Sequence, residues 1–283
     1  NADSFGFIWS PLKTFAGKGY VYVGITERDV HRRYLVTTSI LALMHTPSRA
    51  TERPLIAAAT SLQPALEEAG PLIATQTGIM PRFAYGASGN LARQIAQGAP
   101  FELLLAADEA SILTLAKAGH LRDEGHVYAR GRLALFARHG APFDPAAGLE
   151  ALRPLLAAGR IARFAIANPE TAPYGRAAEE ALRRLGLWDA IRPRLVFGEN
   201  IAQAAQFAMT EGAAGGLIAL SLADTPPLRA RGRFALVPEA LHELLRHRLA
   251  LTRRASEAAL RLQAWFLSPI AAQVFARHGL EAP

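Results

Sequence analysis

Apolar and polar positions alternate along most of the chain in the pattern of an α/β protein. From Arg53 onward, short apolar runs are separated by longer segments whose apolar positions recur every three or four residues. Such runs predict buried strands, and the longer periodicity predicts amphipathic helices. The first part therefore predicts strands at 55–59, 80–84 and 101–106 and helices at 62–69, 88–98 and 109–118. This alternation predicts a mainly parallel sheet with helices on both faces.

Two strand-like runs follow one another around 127–138 without a helix between them, and the alternation then begins again. We interpret this point as a crossing into a second lobe of the same type. Strand-like runs near 234–237 and 247–252 and two closing helices predict a return to the first lobe. The expected domains are lobe 1, made of residues 51–130 and 228–283, and lobe 2, made of residues 131–227.

The segment before Thr51 has a different pattern. Residues 31–33 are basic, residues 34–44 form an apolar run of 11 residues, and Ser48 and Ala50 have the small-residue spacing of a signal peptidase site. The run is too short to span a bilayer as a helix. We therefore expect a signal peptide at 31–50 and export to the periplasm, with residues 1–30 a non-native upstream extension. A buried core helix is the alternative for 34–44.

Composition narrows the class of protein. The chain has 283 residues, of which 51% are hydrophobic and 19% charged, which is typical of a folded globular protein. Its net charge is +7, but the arginines are scattered through predicted helices, so nucleic-acid binding is not expected. The absence of cysteine excludes disulfides, thiolate metal sites and a lipid anchor on cysteine.

The stretch from Tyr85 to Gly98 carries the most informative chemistry. It predicts a strand, a turn of small residues and a helix, with Ser88 at the position of an N-cap. Unpaired N–H groups and the helix dipole would attract an anion there without a charged side chain. Thr60 and Ser61 form a second corner of this kind, with two hydroxyls at its mouth. Taken alone, such a corner is more typical of an ordinary helix start, because junctions of this kind occur in every α/β protein.

Catalytic chemistry finds no support in the sequence. His242 and His247 are five positions apart, whereas a zinc-binding helix needs its second histidine four positions on, where Arg246 lies. The remaining histidines are dispersed, and all eight are expected to be exposed or locally hydrogen-bonded. No nucleophile elbow, phosphate-binding lysine loop or carboxylate pair is present. We therefore expect a binding protein and not an enzyme.

Several segments together resemble the periplasmic molybdate-binding proteins of ABC transporters. The most specific of them is the block from Tyr85 to Glu109, and the others occur in family order over residues 54–280. They begin at Ala57, Ala167, Glu199 and Leu267. The resemblance implies the type II periplasmic-binding-protein fold, in which two α/β lobes joined by crossover strands close on a tetrahedral oxyanion.

The resemblance also implies the residues that hold the oxyanion. Transferred to this sequence, they are Thr60, Ser61, Ser88, Tyr174 and, through its backbone N–H, Ile201. Two departures from the family are visible. Ala219 stands where many members carry tyrosine, so Tyr174 is expected to supply that hydroxyl from the other side, and Gly70-Pro71 is expected to break a helix that the family keeps continuous.

The function implied is high-affinity binding of molybdate or tungstate and its delivery to the membrane permease of an ABC importer. The protein is expected to be a monomer that needs no cofactor, with molybdenum present only as bound molybdate. Two alternatives stay open. One keeps the fold and changes the ligand to sulfate, phosphate or a carboxylate, and the other is a ligand-sensing regulatory domain, for which no DNA-binding helix-turn-helix precedes the lobes.

Overall fold

The computed structural model describes residues 53–283 and, as backbone only, two short segments before them. These segments are strands β1 (Ile8–Leu12) and β2 (Val21–Ile25), which pair antiparallel. The expected signal peptide at 31–50 lies outside the described residues and stays a prediction, as does the origin of residues 1–30. Within the described residues, no helix is both long enough and apolar enough to cross a bilayer.

The first lobe is built around a five-stranded sheet. Its elements before the crossing are β3 (Leu55–Ala59), α1 (Gln63–Thr77), β4 (Arg82–Gly86), α2 (Ser88–Ala96), β5 (Leu103–Ala106), α3 (Ala110–Lys117) and β6 (His126–Gly131). Strand β3 runs parallel to β4 on one side and to β5 on the other. Strand β5 is buried at all four positions, because helices cover both faces of a parallel sheet.

The second lobe repeats this arrangement. Its elements are β7 (Leu133–Arg138), α4 (Leu152–Ala157), β8 (Arg163–Ala167), α5 (Pro173–Arg184), α6 (Trp188–Ile191), β9 (Leu195–Gly198), α7 (Ile201–Met209), β10 (Ala213–Ala219), α8 (Leu220–Ala223), α9 (Pro226–Arg229) and β11 (Gly232–Leu236). The sheet order is β11-β7-β10-β8-β9, with β10, β8 and β9 parallel and β7 antiparallel to both its neighbours.

The chain then returns to the first lobe. The last elements are β12 (Leu245–Leu251), α10 (Glu257–Phe266) and α11 (Pro269–Arg277). Strand β12 lies between β5 and β6 and runs antiparallel to both, which gives the first sheet the order β4-β3-β5-β12-β6. Both sheets are mixed, since each has two parallel and two antiparallel strand pairs. Flanked by helices, they form the α/β architecture that the alternation predicted.

The expected lobe boundary at residue 228 is wrong. Strand β11 follows that boundary, yet it pairs with β7 along its whole length and so belongs to the second sheet. The return to the first sheet takes place between Leu236 and Leu245. The sequence shows a loop before Gly232 but carries no local signal for β11's partner, which is about 100 residues away along the chain.

The expected helix break at Gly70-Pro71 is also wrong, because α1 continues through Pro71. Gly70 has no Cβ to clash with the proline ring, which removes one of the contacts that disfavour a helical residue before proline. Pro71 itself is exposed, while Leu66, Ala69 and Ile73 keep the buried face continuous. The packing of that face therefore outweighs the local preference for a break.

Candidate functional site

A small cavity lies where the carboxyl ends of strands in the first sheet face helix starts of the second lobe. All five residues expected to hold an oxyanion line it. The full lining is Ala59, Thr60, Ser61, Gly86, Ala87, Ser88, Ala107, Ala172, Pro173, Tyr174 and Ile201. None of these side chains is charged, so a ligand here meets hydroxyls, backbone amides and small apolar groups.

Four chain corners bring their first backbone N–H groups to this cavity. Thr60 and Ser61 form a 3₁₀ turn directly before α1, and Ser88 is the first residue of α2. Tyr174 is the second residue of α5, and Ile201 is the first of α7. The leading N–H groups of a helix have no partner inside it and carry partial positive charge. The cavity is therefore electropositive without a cationic side chain.

The N-cap of α7 singles out Ile201 as a donor. The Asn200 side chain accepts hydrogen bonds from the N–H groups of Ala202 at 3.0 Å and Gln203 at 3.1 Å. The cap thus occupies the two amides that follow Ile201 and holds the helix start in place. The Ile201 N–H is not taken up by this cap, and Ile201 lines the cavity.

Two hydroxyls of the first corner are buried. Among the described residues Thr60 Oγ1 has no hydrogen-bond partner, and Ser61 Oγ has no well-formed one, although Ser61 lies close enough to Tyr174 to act on the pKa of its phenol. A buried polar group left unpaired costs about 1–3 kcal/mol, so such groups call for an explanation. A ligand oxygen in the adjacent cavity would give both hydroxyls an acceptor.

Ser88 differs from its expected role as an N-cap. Ala87 occupies the cap position of α2, and Ser88 makes no capping hydrogen bond. Its Oγ instead accepts the backbone N–H of Ala107 at 2.9 Å, at the end of β5. With its oxygen used as an acceptor, the Ser88 hydroxyl has its hydrogen free to donate into the cavity.

Tyr174 enters the cavity from the second lobe and is almost completely buried. Burial raises the pKa of its phenol, which therefore keeps its hydrogen across the physiological range. The Tyr174 Oη lies 3.4 Å from Nε2 of His247, on strand β12 of the first lobe. This pair joins the two lobes directly behind the cavity.

Further contacts between the lobes surround the cavity. The N–H of Gly89 in α2 donates to the Thr171 carbonyl at 3.0 Å, and the Ser221 hydroxyl of α8 donates to the Ser61 carbonyl at 2.6 Å. Arg176 and Asp108 form an ion pair across the same boundary. These contacts hold the two sets of helix starts face to face.

The cavity is small, with a volume of about 10 Å³. Pockets for drug-sized organic ligands are usually about 300–1,000 Å³. The space and its lining of hydrogen-bond donors suit a compact anion of a few heavy atoms.

Sequence reasoning did not identify His247 or the role of Ala107. All histidines were expected to be exposed or locally bonded, whereas His247 is completely buried and contacts a residue 73 positions away. A usable signal was present, since Leu245, His247 and Leu249 share the inward face of one strand. The role of Ala107 could not be predicted from the sequence, because it is played by a backbone N–H that every residue except proline has.

A two-lobed α/β fold that encloses a cavity of hydrogen-bond donors between its sheets defines the class of solute-binding proteins. Comparison with known proteins gives the family. Residues 54–281 match the family described as bacterial extracellular solute-binding protein, and the chain belongs to that family.

Individual relatives agree with this assignment. The molybdate-binding protein ModA of Rhodobacter capsulatus is 32% identical over 236 residues, which span 82% of this chain and 89% of that protein. ModA of Azotobacter vinelandii is 35% identical over 199 residues, spanning 69% and 76%. The solved structure of the Azotobacter vinelandii periplasmic molybdate-binding protein has a TM-score of 0.73 at 26% identity, covering 82% of this chain and all of that one.

These comparisons confirm the resemblance and the two-lobed periplasmic-binding-protein fold. Membership in a family of solute-binding proteins also confirms a binding protein rather than an enzyme, and an extracytoplasmic location. The convergence of the five expected residues on one cavity is a finding of the structure. Their role as ligands to an oxyanion stays a prediction.

Proposed function

We propose that the protein binds molybdate, or the closely similar tungstate, and delivers it to the permease of an ABC importer. The observation that carries the proposal is the convergence of Thr60, Ser61, Ser88, Tyr174 and Ile201 on one small cavity without charged side chains. Relatives that carry the name molybdate-binding protein cover most of the chain, which supports this choice of ligand.

Neutral donors are well suited to a doubly charged oxyanion. An enclosed anion loses its hydration shell, so each of its oxygens needs hydrogen bonds from the protein. A hydrogen bond to a charged acceptor contributes about 1.5–3 kcal/mol net of competition from water. Four helix or turn starts add their dipoles, which favour negative charge at this point. Binding without a counter-charge also leaves the ion free to depart when the lobes separate.

Size provides the basis for selectivity. The donors are fixed to helix and turn starts, so their separation is set by the fold. A tetrahedral ion too small to reach every donor leaves buried hydroxyls unpaired, and each such group is costly. We therefore expect molybdate and tungstate to bind more tightly than the smaller sulfate.

The cellular context follows from the same proposal. Residues 31–50 act as a signal peptide that exports the protein to the periplasm, where it works as a monomer without a cofactor. Its partners are the anion and the membrane permease, and nucleic acid is not among them.

Calorimetric titration of the purified protein with molybdate, tungstate, sulfate, phosphate and acetate tests the proposal. We expect one equivalent of molybdate or tungstate to bind, and a large excess of sulfate or phosphate to leave the bound ion in place. Tighter binding of sulfate, phosphate or the carboxylate would contradict the molybdate assignment and identify the alternative ligand. Absence of binding to every one of these ions would contradict the anion-binding function itself.

A further inference from the structure

Behind the cavity lies a buried imidazole to which the proposed function assigns no role. His247 has no exposed surface, although its strand neighbours Arg246 and Arg248 reach solvent or an ion pair. Its Nε2 lies 3.4 Å from the Tyr174 Oη, and among the described residues its buried Nδ1 has no hydrogen-bond partner. In this part of the chain Nε2 is therefore the ring nitrogen with a partner.

The surroundings of His247 keep it uncharged. Two tyrosine rings pack edge-on against the imidazole, Tyr128 at 6.0 Å and Tyr174 at 6.1 Å between ring centroids. Burial lowers the pKa of His247 to about 3 and raises the pKa of both tyrosines. At neutral pH the ring therefore has a single N–H, which lies on either Nδ1 or Nε2.

The two tautomers have different consequences. If Nδ1 carried the hydrogen, a buried N–H would have no acceptor, and the phenol of Tyr174 would donate to Nε2 and turn its hydrogen away from the ligand. If Nε2 carries the hydrogen, it donates to Tyr174 Oη and leaves only a lone pair on Nδ1 unmatched. Orphaned buried N–H groups are rarer than under-used acceptors, so the second arrangement is favoured.

The close approach of the two side chains is built into a third element. A Cβ added to Gly131, at the end of β6, would lie 2.2 Å from Tyr174 Oη and 2.8 Å from His247 Nε2. The hydroxyl and the imidazole thus occupy space that any other residue at 131 would fill. Strands β6 and β12 together fix the place of the phenol of Tyr174.

We propose that His247 is a positioning residue for the oxyanion site, whose Nε2–H donates to Tyr174 Oη and so directs the phenolic hydrogen at the bound ion. The proposal rests on the proposed function of the cavity. It assigns to Tyr174 the arrangement that Ser88 already shows, in which the Ala107 N–H donates to the hydroxyl oxygen and frees its hydrogen. Two of the cavity hydroxyls are then set as donors before the ion arrives.

A double-mutant cycle tests the coupling between the two side chains. Molybdate affinity is measured by calorimetry for the wild type, His247→Leu, Tyr174→Phe and the double variant. His247→Leu should weaken binding about tenfold, the contribution of one oriented hydrogen bond. In the Tyr174→Phe background the same change should alter affinity by less than about twofold, because the hydroxyl that it positions is absent.

A conservative variant separates positioning from simple packing. In His247→Gln an amide N–H takes the place of Nε2–H, so affinity should stay within about threefold of the wild type. Wild-type affinity in His247→Leu, or equal losses with and without the Tyr174 hydroxyl, would overturn the proposal. If the wild type binds another oxyanion and not molybdate, the proposed function is wrong, and the cycle is carried out with that ion.

The tautomer can be observed without any ligand. Long-range ¹H–¹⁵N correlation spectra of the free wild-type protein distinguish Nε2–H from Nδ1–H imidazole. We expect the Nε2–H form for His247, assigned by its loss in His247→Gln. A spectrum of the Nδ1–H form would overturn the proposal even if every variant binds as expected. This measurement does not require that the His247→Leu variant folds.

Discussion

The hydroxyls of the cavity are of two kinds, and the difference decides what their removal does. Thr60 Oγ1 has no hydrogen-bond partner among the described residues, whereas Ser88 Oγ accepts the Ala107 N–H. Deleting a hydroxyl that has no partner breaks no hydrogen bond within the protein and removes only a donor to the ligand. Deleting the Ser88 hydroxyl also leaves a buried amide without its acceptor.

Thr60→Val and Ser88→Ala should therefore separate stability from binding. Both variants lose a ligand hydrogen bond, so molybdate affinity should fall by about 1–3 kcal/mol, or roughly 5- to 150-fold. The free energy of unfolding of the ligand-free protein should be unchanged or higher for Thr60→Val and about 1–3 kcal/mol lower for Ser88→Ala. Calorimetric titration and urea unfolding measure the two quantities.

A serine outside the cavity provides the control for this pair. Ser256 caps α10 by accepting the N–H of Ala259. Ser256→Ala should lower the free energy of unfolding by about 1 kcal/mol and leave molybdate affinity unchanged. Equal affinity in Ser88→Ala and Ser256→Ala would remove Ser88 from the binding site.

The buried imidazole of His247 makes stability depend on pH. Its pKa is about 3 in the folded protein and 6.5 when exposed, so below pH 6.5 the unfolded chain binds a proton that the folded protein does not. Stability from this group therefore falls as pH decreases, by up to about 1.4 kcal/mol per pH unit. Between pH 7 and 5, the wild type should lose about 2 kcal/mol more than His247→Gln.

Urea unfolding of both proteins across this range measures the difference. The carboxyls of Glu68 and Glu281 do not interfere, because their arginine partners, Arg277 and Arg132 first among them, hold their pKa values below 4.5. Their contribution to stability is lost only as pH falls further. If the free energy of unfolding depends on pH in the same way for both proteins, the prediction is wrong, because the pKa of His247 is then the same in the folded and unfolded states.

Helix α2 begins at the Ser88 corner of the cavity. Its second residue, Gly89, determines how closely the two lobes approach each other. A Cβ at Gly89 would lie 2.8 Å from the Thr171 carbonyl oxygen, which accepts the Gly89 N–H at 3.0 Å. Only glycine allows this approach between helix and loop. The position of Ser88 relative to the second lobe follows from the same contact.

Gly89→Ala should weaken molybdate binding without weakening the helix. Alanine favours a helix by about 1 kcal/mol over glycine, so lobe 1 should be at least as stable. Thr171 must retreat, however, and affinity should fall about tenfold or more because the enclosed state becomes less populated. Gln94→Ala, at an exposed position of α2, is the control and should change neither quantity. If calorimetry gives wild-type affinity for Gly89→Ala, the close contact between Gly89 and Thr171 is not needed for the lobes to enclose the ion.

Elements with a strong periodic pattern could be predicted from the sequence, and pairings between distant segments could not. The alternation predicted the α/β class and the two corners at Thr60-Ser61 and Ser88, because strand ends and helix starts are local features. The resemblance to a known family added Tyr174 and Ile201. The membership of β11 in the second sheet and the course of α1 through Pro71 depend on packing with distant residues. His247 was missed for the same reason, since its partner Tyr174 lies on the other lobe.

Across the whole molecule, two chain connections and several polar contacts hold the lobes around the cavity. The chain passes between the sheets at Arg132 and again between Leu236 and Leu245. Near the first of these crossings, Glu281 near the C-terminus pairs with Arg130 at 2.5 Å and Arg132 at 2.6 Å. The cavity therefore lies beside the connections about which two lobes of this kind would open and close.

Anomalous diffraction at the molybdenum edge, from crystals grown with molybdate, tests the central claim most directly. The account predicts one strong peak in the cavity, with its oxygens within about 3.2 Å of the hydroxyls of Thr60 and Ser88 and of the Ile201 N–H. No charged side chain should contact the ion. A peak outside this cavity, or molybdate held by arginine or lysine side chains, would contradict the account.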